Sequence, residues 1–288
     1  MPRLSFLHPV ILSSLLEQAR AQLKAAGIPN ASQEARWLLE HVLQRTCTPF
    51  EHTTLPPTAV RRFRYLVTRR AHRFPLQYLL GSVDFAGAHI RLTPAVLIPR
   101  PETEELVQHA LTWLASHPRT RSVADLGTGS GCIAIALTRA FPTISCWASD
   151  ISPKALRIAR INARLNRVAS RIHFALAHWF SAWPDHLSFD LIITNPPYVE
   201  THAHLSPELA FEPPTALFAG PEGLDAYRQF LPLVPHRLRP GGLFLGEIAA
   251  HHRQPALLLA RASGLLTARV LKDSHGHYRF LIWHKPTS

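Results

Sequence analysis

The sequence predicts an α/β fold with an open, mostly parallel sheet, preceded by a small helical domain. From about residue 121 onward, short apolar runs alternate with segments of helical periodicity, which is typical of such a sheet. The expected strands are 122–126, 144–149, 171–176, 189–194, 242–248, 267–272 and 278–284. The expected helices are 130–140, 153–166, 223–238 and 252–263. Because only D-S-H-G-H separates the last two strands, we expect them to pair in antiparallel fashion.

A second observation predicts the helical domain, because residues 10–75 carry apolar residues at helical spacing. The third of its helical segments, 57–73, alternates apolar residues with arginines and forms either a binding face or simply a solvated surface. Its arginines are Arg61, Arg62, Arg64, Arg69, Arg70 and Arg73. Residues 76–98 then change to short strand-like pieces separated by turn residues. We therefore predict a helical domain at 1–75, a β-hairpin linker at 76–98 and an α/β domain at 99–288.

Charge and cysteine content narrow the class of protein. The 288 residues carry a formal net charge of +12, and residues 1–80 hold 11 Lys and Arg against 4 Asp and Glu. A basic balance favours nucleic acid or nucleic-acid-rich particles as partners. The scattered cysteines form no CxxC pair and fit buried thiols in a reducing compartment. No apolar run is long enough to span a membrane, so we expect a cytoplasmic protein without a membrane partner.

The stretch D-L-I-I-T-N-P-P-Y-V at 190–199 predicts a binding site at a strand end. The strand stops at Asn195, because Pro196 and Pro197 have no N–H to donate. The Asn195 side-chain oxygen and the Pro196 carbonyl can accept the two N–H groups of a planar NH2 substrate, and Tyr198 can pack on its plane. N-P-P by itself fits equally well a proline-rich loop after a core strand.

A glycine loop predicts a second part of the site. S-V-A-D-L-G-T-G-S-G at 122–131 is a strand that runs into a loop and opens a helix. Its G-x-G-x-G spacing matches neither the dinucleotide motif nor a phosphate loop. Asp150, at the end of the next strand, can accept both ribose hydroxyls of an adenosine. Asp125 either faces an ammonium group of the ligand or caps loop N–H groups, and Trp179 is either an adenine-pocket residue or a core residue. Adenosine recognition without pyrophosphate handling favours S-adenosylmethionine.

These motifs together resemble a known family. L-I-P-R-P-E-T-E, D-L-G-T-G-S-G and N-P-P-Y, in this order, resemble class I methyltransferases and, within them, the N5-glutamine methyltransferases of the HemK/PrmC type. The resemblance covers nearly the whole chain and includes R-R-x-x-R-x-P-x-Q-Y-L-L-G at 69–81 and F-E-P-x-x-A-L at 211–217. It implies a seven-stranded Rossmann-like methyltransferase domain with a small N-terminal helical domain, joined by a β-hairpin linker. The implied substrate is the glutamine of the Gly-Gly-Gln motif in bacterial peptide-chain release factors.

The resemblance also implies roles for individual residues. With Asp125 added from the loop argument, the expected S-adenosylmethionine-binding residues are Asp125, Gly127, Thr128, Gly129, Ser130, Gly131, Asp150, Trp179 and Asn195. The expected catalytic and substrate-binding residues are Asn195, Pro196, Pro197 and Tyr198. The cationic helical domain would help to grip the release factor, and we expect a monomer with no stable nucleic-acid partner. Two departures from the family pattern are His178, where the family commonly has Asp, and I-A-A-H-H after Glu247.

Several alternatives stay open. A sister group modifies a glutamine of a ribosomal protein, and N-P-P-Y also resembles the strand tip of adenine and guanine amino-methyltransferases. A protein that keeps the fold but has lost the chemistry is a third alternative. The histidine pairs His202/His204, His251/His252 and His275/His277 have no cysteines or carboxylates at ligand spacing, so we interpret them as surface histidines and expect no metal.

Overall fold

The computed structural model describes residues 10–48 and 53–287, and the chain divides into two units. One unit comprises the chain up to Gly81 together with Ser206–Phe211, and the other comprises Ser82–Leu205 and Glu212–Ser288. The domain boundaries at 75 and 98 remain predictions, as does the role of the hairpin as a linker.

The first unit is built from helices, as predicted. Its elements are β1 (Val10–Ile11), α1 (Leu12–Ala25), α2 (Ala31–Leu43), β2 (Thr54–Leu55), α3 (Pro57–Ala71) and α4 (Leu76–Leu80). The strands β1 and β2 pair antiparallel. The predicted periodicity places Leu12, Leu15 and Leu23 of α1 in a core with Phe63 of α3, and all four side chains are essentially inaccessible. Burial of these apolar faces stabilises a set of short helices that would be marginal alone.

The arginines of α3 do not form one solvated face. Arg70 is buried, and its guanidinium contacts Glu34 (Nε–Oε2, 2.5 Å) and Glu208 (Nη1–Oε1, 3.1 Å). Arg73 also contacts Glu208, at 2.8 Å. These ion pairs attach the distant segment Ser206–Phe211 to the helices. The exposed cations of this helix are instead Arg61, Arg62 and Arg64.

The second unit contains the predicted sheet. Its elements are β3 (Ser82–Phe85), β4 (Ala88–Arg91), α5 (Pro101–Ser116), β5 (Ser122–Leu126), α6 (Cys132–Ala140), β6 (Ser145–Asp150), α7 (Pro153–Leu165), β7 (Ile172–Leu176), β8 (Phe189–Thr194), α8 (Asp225–Phe230), α9 (Val234–Arg237), β9 (Leu238–Glu247), α10 (Arg253–Ala262), β10 (Arg269–Lys272) and β11 (Tyr278–His284). The strands β3 and β4 form a separate antiparallel hairpin. The seven-stranded sheet has the order β10-β11-β9-β8-β5-β6-β7, which confirms the predicted fold class.

The sheet topology determines where a ligand can bind. The strands from β9 to β7 in this order run parallel, whereas β11 is antiparallel to both of its neighbours, as predicted for the β10–β11 pair. The first parallel strand, β5, lies between β6 and β8, so the strand order reverses at this point. In open α/β sheets, ligands bind beyond the carboxyl ends of the strands at such a switch point. Asp150 and Asn195 lie at the ends of the two neighbours of β5.

Two further expectations concern the whole chain. Cys47, Cys132 and Cys146 are buried and are not joined by disulfides, as predicted. Among the residues described, none of the helices combines the length and the apolar character needed to cross a bilayer. The cytoplasmic location remains a prediction.

Candidate active site

The glycine loop joins β5 to α6, and its glycines serve different purposes. A Cβ on Gly131 would approach the Cβ of Ala159 to 3.1 Å and the Cδ1 of Ile135 to 3.2 Å, so this glycine allows α6 and α7 to pack closely. A Cβ on Gly127 would point towards the Trp179 ring, 3.7 Å from Cζ3, and would fill space that a ligand can use. Both residues have positive φ, 82° and 69°, which non-glycine residues rarely adopt.

Asp125 is hydrogen-bonded through only one of its two buried carboxylate oxygens, and its role remains a prediction. Its carboxylate is inaccessible, and Oδ2 accepts hydrogen bonds from Thr128 Oγ1 (2.6 Å) and from the backbone N–H of Ala134 (3.2 Å). Burial raises the pKa of Asp125 to about 7. The loop residues Thr128 and Ser130 are also buried. Gly131 is buried as well, and any cofactor contact by these four residues remains a prediction.

A cavity of about 330 Å³ lies in front of the loop, at the carboxyl ends of the central strands. Its volume falls at the lower end of the range of roughly 300–1,000 Å³ for small-molecule sites. Six predicted site residues line it together: Gly127, Gly129, Asp150, Trp179, Asn195 and Pro197. Pro196 and Tyr198 are not part of its lining. Lining residues that the sequence reasoning missed include Val96, Leu97, Ile151, Pro213, Phe218 and Gln229.

Asp150 has the geometry expected of a ribose ligand. Its Oδ2 accepts a hydrogen bond from the Gly129 N–H and its Oδ1 accepts one from the Ser152 N–H, both at 2.8 Å. A carboxylate has about four lone-pair sites, so two remain for the hydroxyls of a ligand. Burial raises the pKa of Asp150, and these backbone donors act in the opposite direction. The carboxylate is thus fixed in position and turned to a cavity that Ile151 and Ala177 make apolar.

Trp179 is both a cavity residue and a packed residue. Its ring packs against Phe230, with 5.0 Å between centroids, and its Nε1 donates to Gln229 Oε1 at 2.9 Å. His178 also lines the cavity, with its ring 5.5 Å from that of Trp179. An apolar wall of this kind beside a carboxylate with free lone pairs fits an adenosine, so the residues present fit S-adenosylmethionine.

Asn195 belongs to a hydrogen-bond chain that ends on a buried carboxylate. Asn195 Nδ2 donates to Thr103 Oγ1 at 2.8 Å, and Thr103 Oγ1 donates to Glu247 Oε2 at 2.8 Å. The hydroxyl of Tyr198 donates to the other oxygen, Oε1, at 2.9 Å. Because Glu247 ends β9 and Thr103 lies in the first turn of α5, three separate segments meet at this point. Both Thr103 and Glu247 are buried.

This chain determines which way the Asn195 amide points. An ionised carboxylate only accepts hydrogen bonds, so the single hydroxyl hydrogen of Thr103 is used on Glu247. The Thr103 oxygen must then accept, and the group facing it must be the NH2 of Asn195. The oxygen of the Asn195 amide consequently faces away from Thr103. Asn195 is one of the residues that line the cavity. Burial raises the pKa of Glu247 to about 6, so the carboxylate is mainly ionised at neutral pH.

Sequence reasoning missed this network. Thr103 received no role in the site, although its side chain in the first turn of α5 bonds to Glu247. Glu247 received no role. Its position, an acidic residue at the carboxyl end of a buried parallel strand, was a signal that could have identified it.

Comparison with known proteins gives a consistent result. Residues 14–81 match the family profile described as the PrmC N-terminal domain, and residues 104–212 match the methyltransferase small domain. A protein of Cereibacter sphaeroides called release factor glutamine methyltransferase is 40% identical over 279 residues, which cover 95% of this chain and 98% of that protein. One of Bordetella pertussis with the same name is 40% identical over 255 residues, covering 87% and 93%.

Solved structures support the fold. The catalytic domain of hMettl16 in complex with an RNA hairpin superposes with a TM-score of 0.55 at 18% identity, covering 77% of this chain and 82% of that chain. The 16S rRNA N2 G1207 methyltransferase of T. thermophilus, in complex with AdoMet and guanosine, gives 0.54 at 19% identity, covering 71% and 49%. At these identities the likeness concerns the fold alone.

The seven-stranded sheet, the glycine loop and the cavity beside Asp150 define the class of S-adenosylmethionine-dependent methyltransferases. Within that class, near full-length similarity at about 40% identity decides the family. This chain belongs to the release factor glutamine methyltransferase family, as its motifs predicted.

Proposed function

We propose that this protein methylates the side-chain amide nitrogen of the glutamine in the Gly-Gly-Gln motif of peptide-chain release factors. The orientation of the Asn195 amide carries the proposal. Its NH2 faces the Thr103–Glu247 chain, so its oxygen, which can accept a hydrogen bond, faces away from that chain, and Asn195 lines the cavity. The names of the relatives support the release factor as the substrate.

The proposed chemistry depends on orientation. The nitrogen of a glutamine amide is a weak nucleophile, because its lone pair is delocalised into the carbonyl. Asn195 Oδ1 would accept one N–H of the substrate. The Pro196 carbonyl, which the motif suggests although Pro196 does not line the cavity, would accept the other and so orient the nitrogen for attack. S-adenosylmethionine, when bound, supplies this methyl on a sulfonium that needs no acid to leave. Asp150 holds the ribose, and the amide proton passes to water after transfer.

The loop that carries these acceptors is stiffened from both sides. Thr194 Oγ1 donates to the carbonyl of Leu126 at 2.7 Å, which fastens the end of β8 to the end of β5. Tyr198 is fastened to Glu247 through its hydroxyl. Between these two anchors, Pro196 and Pro197 have fixed φ values. We infer that the acceptors are held in place before the substrate arrives, which reduces the entropy cost of aligning it.

The proposal is tested with S-adenosylmethionine labelled on its methyl group and a purified release factor. We expect label on the wild-type factor and none on a variant with Gln→Ala in its Gly-Gly-Gln motif. Ribosomal protein, ribosomal RNA and DNA are assayed in parallel, because the same two acceptors suit another glutamine or an exocyclic amine of a base. Label on one of these, with an unlabelled release factor, would overturn the substrate and leave the enzyme class intact.

We also propose that the helical unit binds the release factor through the exposed arginines of α3. Arg61, Arg62 and Arg64 are exposed, whereas Arg70 is buried in ion pairs, so the exposed arginines are available to an acidic surface of a partner. Charges of this kind mainly accelerate association and select partners. The expected monomeric state and the absence of a stable nucleic-acid partner remain predictions.

Reversing two of these charges should weaken binding of the release factor without slowing methyl transfer. For Arg61→Glu with Arg64→Glu we expect the KM for release factor to rise about tenfold at low salt, with kcat nearly unchanged. The effect should shrink towards 1 M salt, where the screening length falls to about 3 Å. The matched control, Arg261→Glu with Arg269→Glu, makes the same charge change at exposed positions of the other unit. Equal effects in the two double variants would show that net charge alone is responsible.

A further inference from the structure

Three metal-binding side chains converge outside the cavity. Glu200 lies two residues after Tyr198, and His251 and His252 end a single 3-10 turn that follows β9. Among the residues that the structure describes, these three form the one group of His, Cys, Asp or Glu side chains with metal-binding proximity. None of them lines the cavity beside Asp150; they line a separate surface cleft with Glu222 and Arg228.

The distances between their donor atoms suit a small transition-metal ion. His251 Nε2 lies 2.7 Å from Glu200 Oε1, and His252 Nε2 lies 3.5 Å from the same oxygen. One donor atom from each of the three residues lies within 4.8 Å of the others. Ligands about 2.0–2.1 Å from a tetrahedral zinc ion are about 3.3 Å apart. The observed donors therefore surround a point that zinc can occupy after small side-chain adjustments.

The His252 ring gives the independent observation. It is only 3% exposed, yet neither ring nitrogen makes a hydrogen bond of good geometry, since Nε2 only approaches Glu200 Oε1 at 3.5 Å. Buried polar atoms are nearly always paired, so an unpaired buried imidazole calls for a ligand. Gly223 makes room for the ring, because a Cβ there would lie 2.6 Å from His252 Cε1 and 2.4 Å from the carbonyl oxygen of Tyr198.

We propose that Glu200, His251 and His252 bind a divalent transition-metal ion, zinc in the first place, with water in the fourth position. Two imidazoles and one carboxylate are a donor set that zinc prefers, and three protein ligands leave a position open. The interpretation of His251 and His252 as ordinary surface histidines is wrong for His252, which is buried. The carboxylate partner was not visible in the sequence because it lies about fifty residues away.

The position of the site indicates what the metal does. Glu200 is joined through Val199 to Tyr198, and His251 follows Glu247 by four residues. Tyr198 and Glu247 are the two residues bonded to each other in the Asn195 network. A metal ion held by Glu200 and the histidines would therefore connect the segment that follows Tyr198 to the segment that follows Glu247. Its role is structural, and methyl transfer does not need it.

The test uses untagged protein, since an affinity tag of histidines would itself bind zinc. Titration calorimetry with zinc chloride alone should show one equivalent bound per chain, and thermal unfolding should shift upward with zinc. For Glu200→Gln and His251→Gln we expect zinc affinity to fall at least about tenfold. The side chains of these two residues are partly exposed, so their replacement does not open the core.

The matched control removes two other imidazoles. His275→Gln with His277→Gln changes an exposed pair next to Asp273, and this variant should bind one zinc as the wild type does. Cobalt chloride provides a spectroscopic readout of the coordination geometry, and its absorption should disappear in Glu200→Gln. No stoichiometric binding to the wild type, or an equal loss of zinc in control and cluster variants, would overturn the proposal.

Discussion

Replacing Asn195 with alanine should lower kcat at least about a hundredfold, the loss expected when a reacting group is misplaced by about an ångström. The change removes the Oδ1 acceptor and leaves the amide of the substrate with the Pro196 carbonyl alone. The Thr103 hydroxyl keeps its bond to Glu247, so the fold should survive. Single-turnover methylation of release factor measures the rate, and circular dichroism with thermal unfolding checks the fold.

Asn195→Asp separates the presence of an acceptor from its orientation. Aspartate keeps an oxygen facing the cavity but has no hydrogen to give Thr103, whose one hydrogen is already used on Glu247. Two carboxylates then compete for one hydroxyl and repel each other. We expect a loss of kcat as large as in the alanine variant. An Asn195→Asp enzyme with near wild-type turnover would contradict the role assigned to the Thr103–Glu247 chain.

The sequence predicted the sheet well because local patterns determine it. Each of the predicted strands has a counterpart, and the main differences have local causes. The predicted helix 223–238 is divided into α8 and α9, since Pro232 lies in the 3-10 turn between them. The strand β9 begins at Leu238 rather than at 242, because its backbone continues through Gly241, whose N–H donates to the carbonyl of Lys285.

The site was predictable only in part. Asp150 and Asn195 were predicted from their places at strand ends, and they do meet at one cavity together with Trp179. Thr103 and Glu247 lie 144 residues apart and no local pattern connects them. The same holds for Glu200 and His251, which are 51 residues apart. Packing of α5 against the end of β9 gives Thr103 this distant partner.

Glu247→Gln should reduce kcat at least about tenfold at pH 8 and abolish a pH dependence of the wild type. Both carboxylate oxygens of Glu247 accept hydrogen bonds, whereas a glutamine side chain has one oxygen and one NH2. Either Thr103 or Tyr198 therefore loses its acceptor. If Thr103 accepts from the new NH2, the amide of Asn195 is no longer held in one orientation. In the wild type, protonation of Glu247 has the same effect, and kcat should fall as pH drops through about 6. The measurement is kcat between pH 5 and 9.

The controls for this pH profile are variants of two residues of α5. Glu104→Gln changes an exposed carboxylate in the first turn of α5 and should keep the acid limb of the wild type. Thr103→Ser preserves the hydroxyl and should keep both rate and profile, whereas Thr103→Val should behave like Glu247→Gln. An acid limb that persists in Glu247→Gln would assign the titration to another group and contradict the proposed positioning role.

The stability of the Glu247→Gln variant distinguishes a positioning role of Glu247 from a packing role. The folded-state pKa of Glu247 is raised from its ordinary 4.5 to about 6, so between these values the folded state binds more protons than the unfolded state. Stability from this group therefore decreases as pH rises, and above pH 6 the buried charge costs about 2 kcal/mol. Glutamine removes that cost but leaves Thr103 or Tyr198 without its acceptor, which costs about 1–3 kcal/mol. At pH 8 the Tm of Glu247→Gln should therefore stay close to that of the wild type, and at pH 5, where the wild type is protonated, it should fall below it. A slower enzyme with an undiminished Tm at pH 8 identifies a carboxylate retained for orienting Asn195, whereas a parallel fall in rate and Tm at that pH would assign Glu247 to packing.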